Sequence, residues 1–80
     1  MMNSQQARAA RGLLKWSQRQ LAKESGVGLS TVADFENDKR EPWPDNLAAI
    51  RRALEDAGVE LISAKGGKGV GVRLREEVPK

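Results

Sequence analysis

A chain of 80 residues holds one small domain, whose compact core leaves little volume for an enclosed active site. It has no histidine and no cysteine, so the commonest general base, a disulfide framework and a cysteine-ligated zinc site are all excluded. The formal net charge is +3, which suits a nucleic-acid partner without requiring one. Residues 1–44 hold seven Lys and Arg against five Asp and Glu, and residues 45–80 hold seven against six. Any basic surface must therefore be assembled by folding and not by a charged tail. No apolar run approaches the roughly 20 residues of a membrane span, and Met1 to Ala10 lacks a signal-type apolar stretch. The expectation is a soluble cytoplasmic protein with no metal, no cofactor, no membrane partner and no enzymatic activity.

The first 57 residues read as helical. Asn3 or Ser4 is suited to cap a first helix from Gln5 to Leu14, in which Ala7, Ala10 and Leu14 recur at helical spacing. Ser17 followed by Gln20 reads as a capping box for a second helix, with Trp16 as its staple residue at the junction with the first. Leu21 and Ala22 face inward, and Gly26 ends the helix in a left-handed conformation. A third helix runs from Leu29 to Phe35 or Glu36, with Val32 and Phe35 on its buried face. Residues 37–41 are polar and turn-like. In Glu41-Pro42-Trp43-Pro44 each proline pushes its predecessor towards extended geometry. Pro44 suits the first position of a fourth helix, Asp45 complements its dipole, and Trp43 is expected to cover its start. Leu47, Ile50, Leu54 and Ala57 form one stripe, closed by Gly58.

Beyond Gly58 the period becomes alternating. Val59 and Leu61, then Val70, Val72 and Leu74, share one parity around Gly66-Gly67, which predicts a β-hairpin with a loop of several residues. A lone hairpin is marginal in water, so it needs a further element. One expectation is that Val70 to Arg75 pairs across a dimer. The glycine-rich run from Gly66 to Gly71 lacks the spacing, the following Ser or Thr, and the helix of a phosphate-binding loop.

The informative stretch is residues 18–36. One glycine in the turn permits a steep crossing of two helices, with Leu21, Ala22, Val32 and Phe35 between them. The outer face of the later helix is then left free, carrying Leu29, Ser30, Ala33 and Asp34, with Thr31 and Asn37 at its edge. The order Gln18, Leu21-Ala22, Gly26, Val32, Glu36, together with Arg11 and Pro42, resembles the lambda-repressor-like (Cro/cI, Xre) helix-turn-helix family over roughly residues 5–58.

That resemblance implies a mainly α fold, a compact four-helix bundle with a helix-turn-helix over residues 1–58. From the alternating period, and unlike the many relatives with a fifth helix here, residues 59–76 are expected to form a β-hairpin extension of the same domain and 77–80 a flexible tail. The resemblance implies double-stranded DNA as partner and a homodimeric transcriptional regulator, with the third helix in the major groove. Gln18 and Arg19 fall at the start of the helix that crosses the DNA backbone. Gly28, Leu29, Ser30, Thr31 and Asp34 fall on the reading helix. Asn37, Lys39 and Arg40 fall in the loop that holds the phosphates, and Arg11 and Glu36 match a structural ion pair. Gly28 departs from the family's usual Ser or Thr cap, Leu29 offers only apolar contact to a thymine methyl, and Asp34 accepts only from a cytosine amino group. Two other readings stand beside a repressor: an antitoxin-like autoregulator with a toxin as protein partner, and an interaction module that keeps the fold without DNA binding.

Overall fold

The computed structural model describes residues 2–76. The elements are α1 (Ser4–Leu14), α2 (Gln18–Ser25), α3 (Leu29–Glu36), α4 (Pro44–Asp56), β1 (Val59–Ile62) and β2 (Gly71–Leu74). Four helices and a C-terminal antiparallel hairpin match the expected architecture. The expected tail, residues 77–80, lies outside the described residues.

Asn3 caps α1. Its side chain accepts from Gln6 N at 2.8 Å, and Gln6 Oε1 accepts from Asn3 N at 2.9 Å, a complete reciprocal box. The box expected at Ser17 is only half formed. Ser17 Oγ accepts from Gln20 N at 3.0 Å, but the Gln20 amide donates to Glu24 Oε2 at 2.7 Å instead of turning back. Donating to the Glu24 carboxylate one turn ahead turns the Gln20 amide forward, so its oxygen does not accept from Ser17 N as the second half of the box requires. Gly26 ends α2 at φ 72°, as expected, and its N–H donates to Ala22 O at 2.9 Å. Lys15 ends α1 in the same left-handed region at φ 58°, where no glycine signals the turn.

The core gathers Ala7 and Ala10 of α1, Leu21 of α2, Val32 and Phe35 of α3, and Leu47, Ile50, Ala53 and Leu54 of α4. Met2, Val27 and Val59 complete it from outside the helices. Trp16 is half-buried against this core, as its junction position requires. Two expectations at α4 fail. Ala57 is exposed because the helix has ended by then, leaving it as the C-cap. Trp43 is 80% exposed: Pro42 is the buried residue here, and Trp43 is the extended N-cap residue, φ −54° and ψ 149°, directly before α4.

β1 and β2 pair in the register Val59↔Leu74, Glu60↔Arg73, Leu61↔Val72, Ile62↔Gly71. Val59, Leu61, Val72 and Leu74 all pack on the helical core, through α1 and α4. The hairpin's own helices thus supply the element it needs. The connection is more ordered than a plain loop: Lys65 and Lys68 exchange two backbone bonds of 3.0 Å around Gly66 and Gly67. Both glycines have positive φ, 60° and 80°, the pattern of a tight primed turn. Val70 lies just outside β2 and is exposed.

Candidate nucleic-acid interface

The interface is built around one buried carboxylate. Glu36, at the last position of α3, is fully buried, where an ionised group must be paired and hydrogen-bonded. Arg11 grips it bidentately, Nε to Oε2 and Nη2 to Oε1, both at 2.7 Å. Gln18 Nε2 adds a third donor to Oε1 at 3.1 Å. Arg8 Nη1 donates to the Glu36 carbonyl, and Arg11 Nη1 donates to Trp16 O at 2.9 Å. The hydrogen bond to Glu36 holds the Arg11 pKa above its ordinary value, against the opposing effect of burial, with the Glu36 charge adding to it. Three elements therefore meet on the C-terminal end of α3, and the expected pair Arg11–Glu36 forms.

The loop after α3 is secured in the same way. Lys39 N donates to the Asp34 carbonyl at 2.8 Å, and Asp38 turns left-handed at φ 58°. Ser4 Oγ then donates to Asp38 Oδ1 at 2.6 Å, tying the loop to the start of α1. Sequence reasoning missed Arg8, Ser4 and Asp38. The only local sign was the Asn37-Asp38 pair, since Asn and Asp tolerate the left-handed region better than most residues.

With its far end fixed and Val32, Phe35 and Glu36 turned inward, α3 presents its N-terminal end and outer face. Leu29 is 37% exposed; Ser30 and Asn37 are exposed, and Thr31, Ala33 and Asp34 half-exposed. The Asp34 side chain has no ion-pair partner among the described residues, which leaves that carboxylate at the surface. Gly28 supplies no side-chain cap, so the first N–H groups of α3 stay open to an external acceptor. Exposed cations flank the helix: Arg19, with Lys23 one turn on, from α2, and Lys39 and Arg40 from the loop. Gln18 is only half-exposed, with its amide committed to Glu36.

Against this geometry, residues 8–55, well over half of the chain, match the family model described as Helix-turn-helix. The chain belongs to the lambda-repressor-like, Cro/cI/Xre-type helix-turn-helix family. A comparison with curated proteins gives no match. The helix-turn-helix is the DNA-binding module of transcriptional regulators; in the motif generally the first helix crosses the DNA backbone and the second lies in the major groove, and α2 and α3 hold those two places in the order of elements. The match begins at Arg8 and ends at Glu55, so it takes in the Glu36 cluster and stops short of the hairpin. No helix among the described residues is long and apolar enough to cross a membrane.

Proposed function

We propose that this helix-turn-helix domain is a repressor that reads one duplex sequence as a two-fold dimer. The observation that carries the reading is α3 itself. Its C-terminal end is clamped by Arg8, Arg11 and Gln18, while its outer face is open and flanked by cations. A helix rigidly held at one end and bare on the other side suits insertion into a major groove about 12 Å wide.

In this reading Arg19, Lys39 and Arg40 neutralise phosphates and supply most of the affinity. Gln18 braces α3 and sits beside the backbone. The open N–H groups after Gly28 donate to a phosphate. Leu29 meets a thymine methyl, Ser30 and Asp34 contact base edges, with Asp34 accepting from a cytosine amino group, and Thr31 and Asn37 border the groove. Two such helices would occupy half-sites about 34–36 Å apart, and repression follows from covering promoter DNA.

The test is a fluorescence-anisotropy titration of the chain's own upstream DNA against a scrambled duplex at two salt concentrations. Tighter, salt-sensitive binding to the native fragment is expected. Ser30→Ala and Asp34→Ala should each shift base preference by ~1–3 kcal/mol. Equal loss on every sequence would remove them from base reading, and salt-insensitive or absent binding would turn the reading towards a protein partner.

A further inference from the structure

The hairpin carries an unused edge. Arg75 N donates to Gly58 O at 2.8 Å, one step beyond the Val59↔Leu74 pair, and this sets the alternation of the ladder. Gly71, Arg73 and Arg75 turn their backbone groups towards β1, so Val72 and Leu74 turn theirs outward. Among the described residues nothing pairs with that outer edge, because the sheet has only its two strands.

Two further observations fall on the same edge. Exposed apolar surface collects beside it. Val70 is 41% exposed, and Gln5 and Ala9 of α1 line a groove with Val70 and Val72. Leu13, 40% exposed, continues the Ala9 face one turn along. The second observation concerns Gly69 and Gly71, which have no positive φ. A Cβ at Gly69 would meet nothing within 4 Å, and one at Gly71 only ordinary contact with Ile62 at 3.9 Å. Nothing inside this chain calls for glycine at either position, yet glycine weakens a strand and often marks the close approach of another backbone.

We propose that β2 is the dimer contact, pairing antiparallel with β2 of a second copy about a two-fold axis through Val72. This deepens the dimeric reading above and rests on it. The stretch Gly69-Val70-Gly71-Val72-Arg73-Leu74-Arg75 is self-complementary in that register. Val72 faces Val72 of the second copy, and Leu74 faces Val70, through the outward backbone groups. Arg73 faces Gly71 and Arg75 faces Gly69, so each long basic side chain lies over a residue without one. All apolar members fall on the core side, and Val70 becomes covered. The neighbouring register, centred on Arg73, sets two guanidinium groups opposite each other in the closer type of pair and is disfavoured. The product is a four-stranded sheet across the two-fold axis.

The chain has no cysteine, so single-cysteine variants test the register directly. Gly71→Cys and Arg73→Cys chains, mixed and oxidised, should yield a disulfide-linked pair in high proportion, because directly opposed strand residues lie within disulfide reach. Either variant alone should link far less. Efficient self-linking of Arg73→Cys would overturn the register. Sedimentation separates the remaining outcomes. A dimer that none of these cysteines traps overturns this contact and leaves the dimeric reading standing. A chain that stays monomeric at all concentrations, on DNA as well as free, overturns both. As a second measurement, Gly71→Lys should raise the dimer dissociation constant roughly tenfold and Gly71→Glu lower it, because each puts a charge opposite Arg73 twice. Thermal melting at low concentration, where the chain is monomeric, should be nearly unchanged in both, and equal dissociation constants for the two variants would count against the pairing.

Discussion

At the scale of single residues the domain turns on Glu36. Arg11→Ala leaves that carboxylate fully buried with its bidentate partner gone, and should cost about 3–5 kcal/mol. A domain of this size has only some 4–12 kcal/mol to lose, so denaturant titration should find the unfolding midpoint of Arg11→Ala lowered by a quarter or more of its value. Glu36→Gln keeps the shape and part of the hydrogen bonding, and should cost less. The Arg11 pKa is raised in the folded state. Its stabilising contribution is therefore complete below the unfolded arginine pKa and is lost only as pH rises through the higher folded value, in strongly alkaline solution. Between neutral pH and that limit Arg11 should contribute no pH dependence to the melting temperature. Gly26 is a second single-residue case. Its φ of 72° meets no neighbour a Cβ would touch, so Gly26→Ala should cost only the left-handed strain, roughly 1–2 kcal/mol, read from the same titration.

The same scale shows where residue patterns mislead. Asn3-x-x-Gln6 and Ser17-x-x-Gln20 are equivalent as strings. What separates them is the destination of each glutamine's amide. Gln6 is buried, and its Nε2 reaches Ile62 O at 3.1 Å and Gly71 O at 3.0 Å, which orients its Oε1 back to the cap. Gln20 has Glu24 one turn ahead. No local rule contains either partner in the first case, because they lie more than fifty residues away in sequence.

At the scale of elements, Gln6 is the rivet between α1 and the hairpin, since one side chain closes the α1 cap and holds both strands. Gln6→Ala removes these bonds and leaves the half-buried carbonyls of Ile62 and Gly71 with fewer donors. It should cost about 1–3 kcal/mol, and hydrogen exchange should speed up in β1 and β2 before it does in α3. The loop after α3 makes a different prediction. Lys39 and Arg40 are exposed on backbone fixed by the Asp34 carbonyl. In the proposed function, alanine at either should weaken binding about equally on all duplexes and lower the logarithmic salt slope by about 1. A change of base preference without a change of slope would move that residue from phosphate contact to base reading.

For the whole molecule, the hairpin is part of the core and not an appendage. Val59 is 1% exposed, and Leu61, Val72 and Leu74 pack on the same cluster. Ending the chain after Gly58 should cost at least ~2–3 kcal/mol from Val59 and its half-buried neighbours, with a lower and broader thermal transition. A truncated chain that melts like the intact one would make residues 59–76 dispensable to the fold.

The order of elements, the helix-turn-helix and the Arg11–Glu36 pair were legible in the amino-acid sequence. The order of elements rests on helical and alternating periods and on Gly26 and Pro44 as boundary residues, short-range signals that survive without coordinates; the helix-turn-helix and the Arg11–Glu36 pair, whose members lie 25 residues apart in sequence, were legible through the family resemblance of positions between Arg11 and Pro42. Tertiary structure alone decided which glutamine completes its cap, that Trp43 faces solvent while Pro42 is buried, and that Ser4, Arg8 and Asp38 help hold α3. It also decided which strand edge of the hairpin stays open. Each of these depends on which distant group lies opposite a given atom. Hydrogen bonding and burial are settled by such proximity, which the identity of the sequence neighbours does not contain.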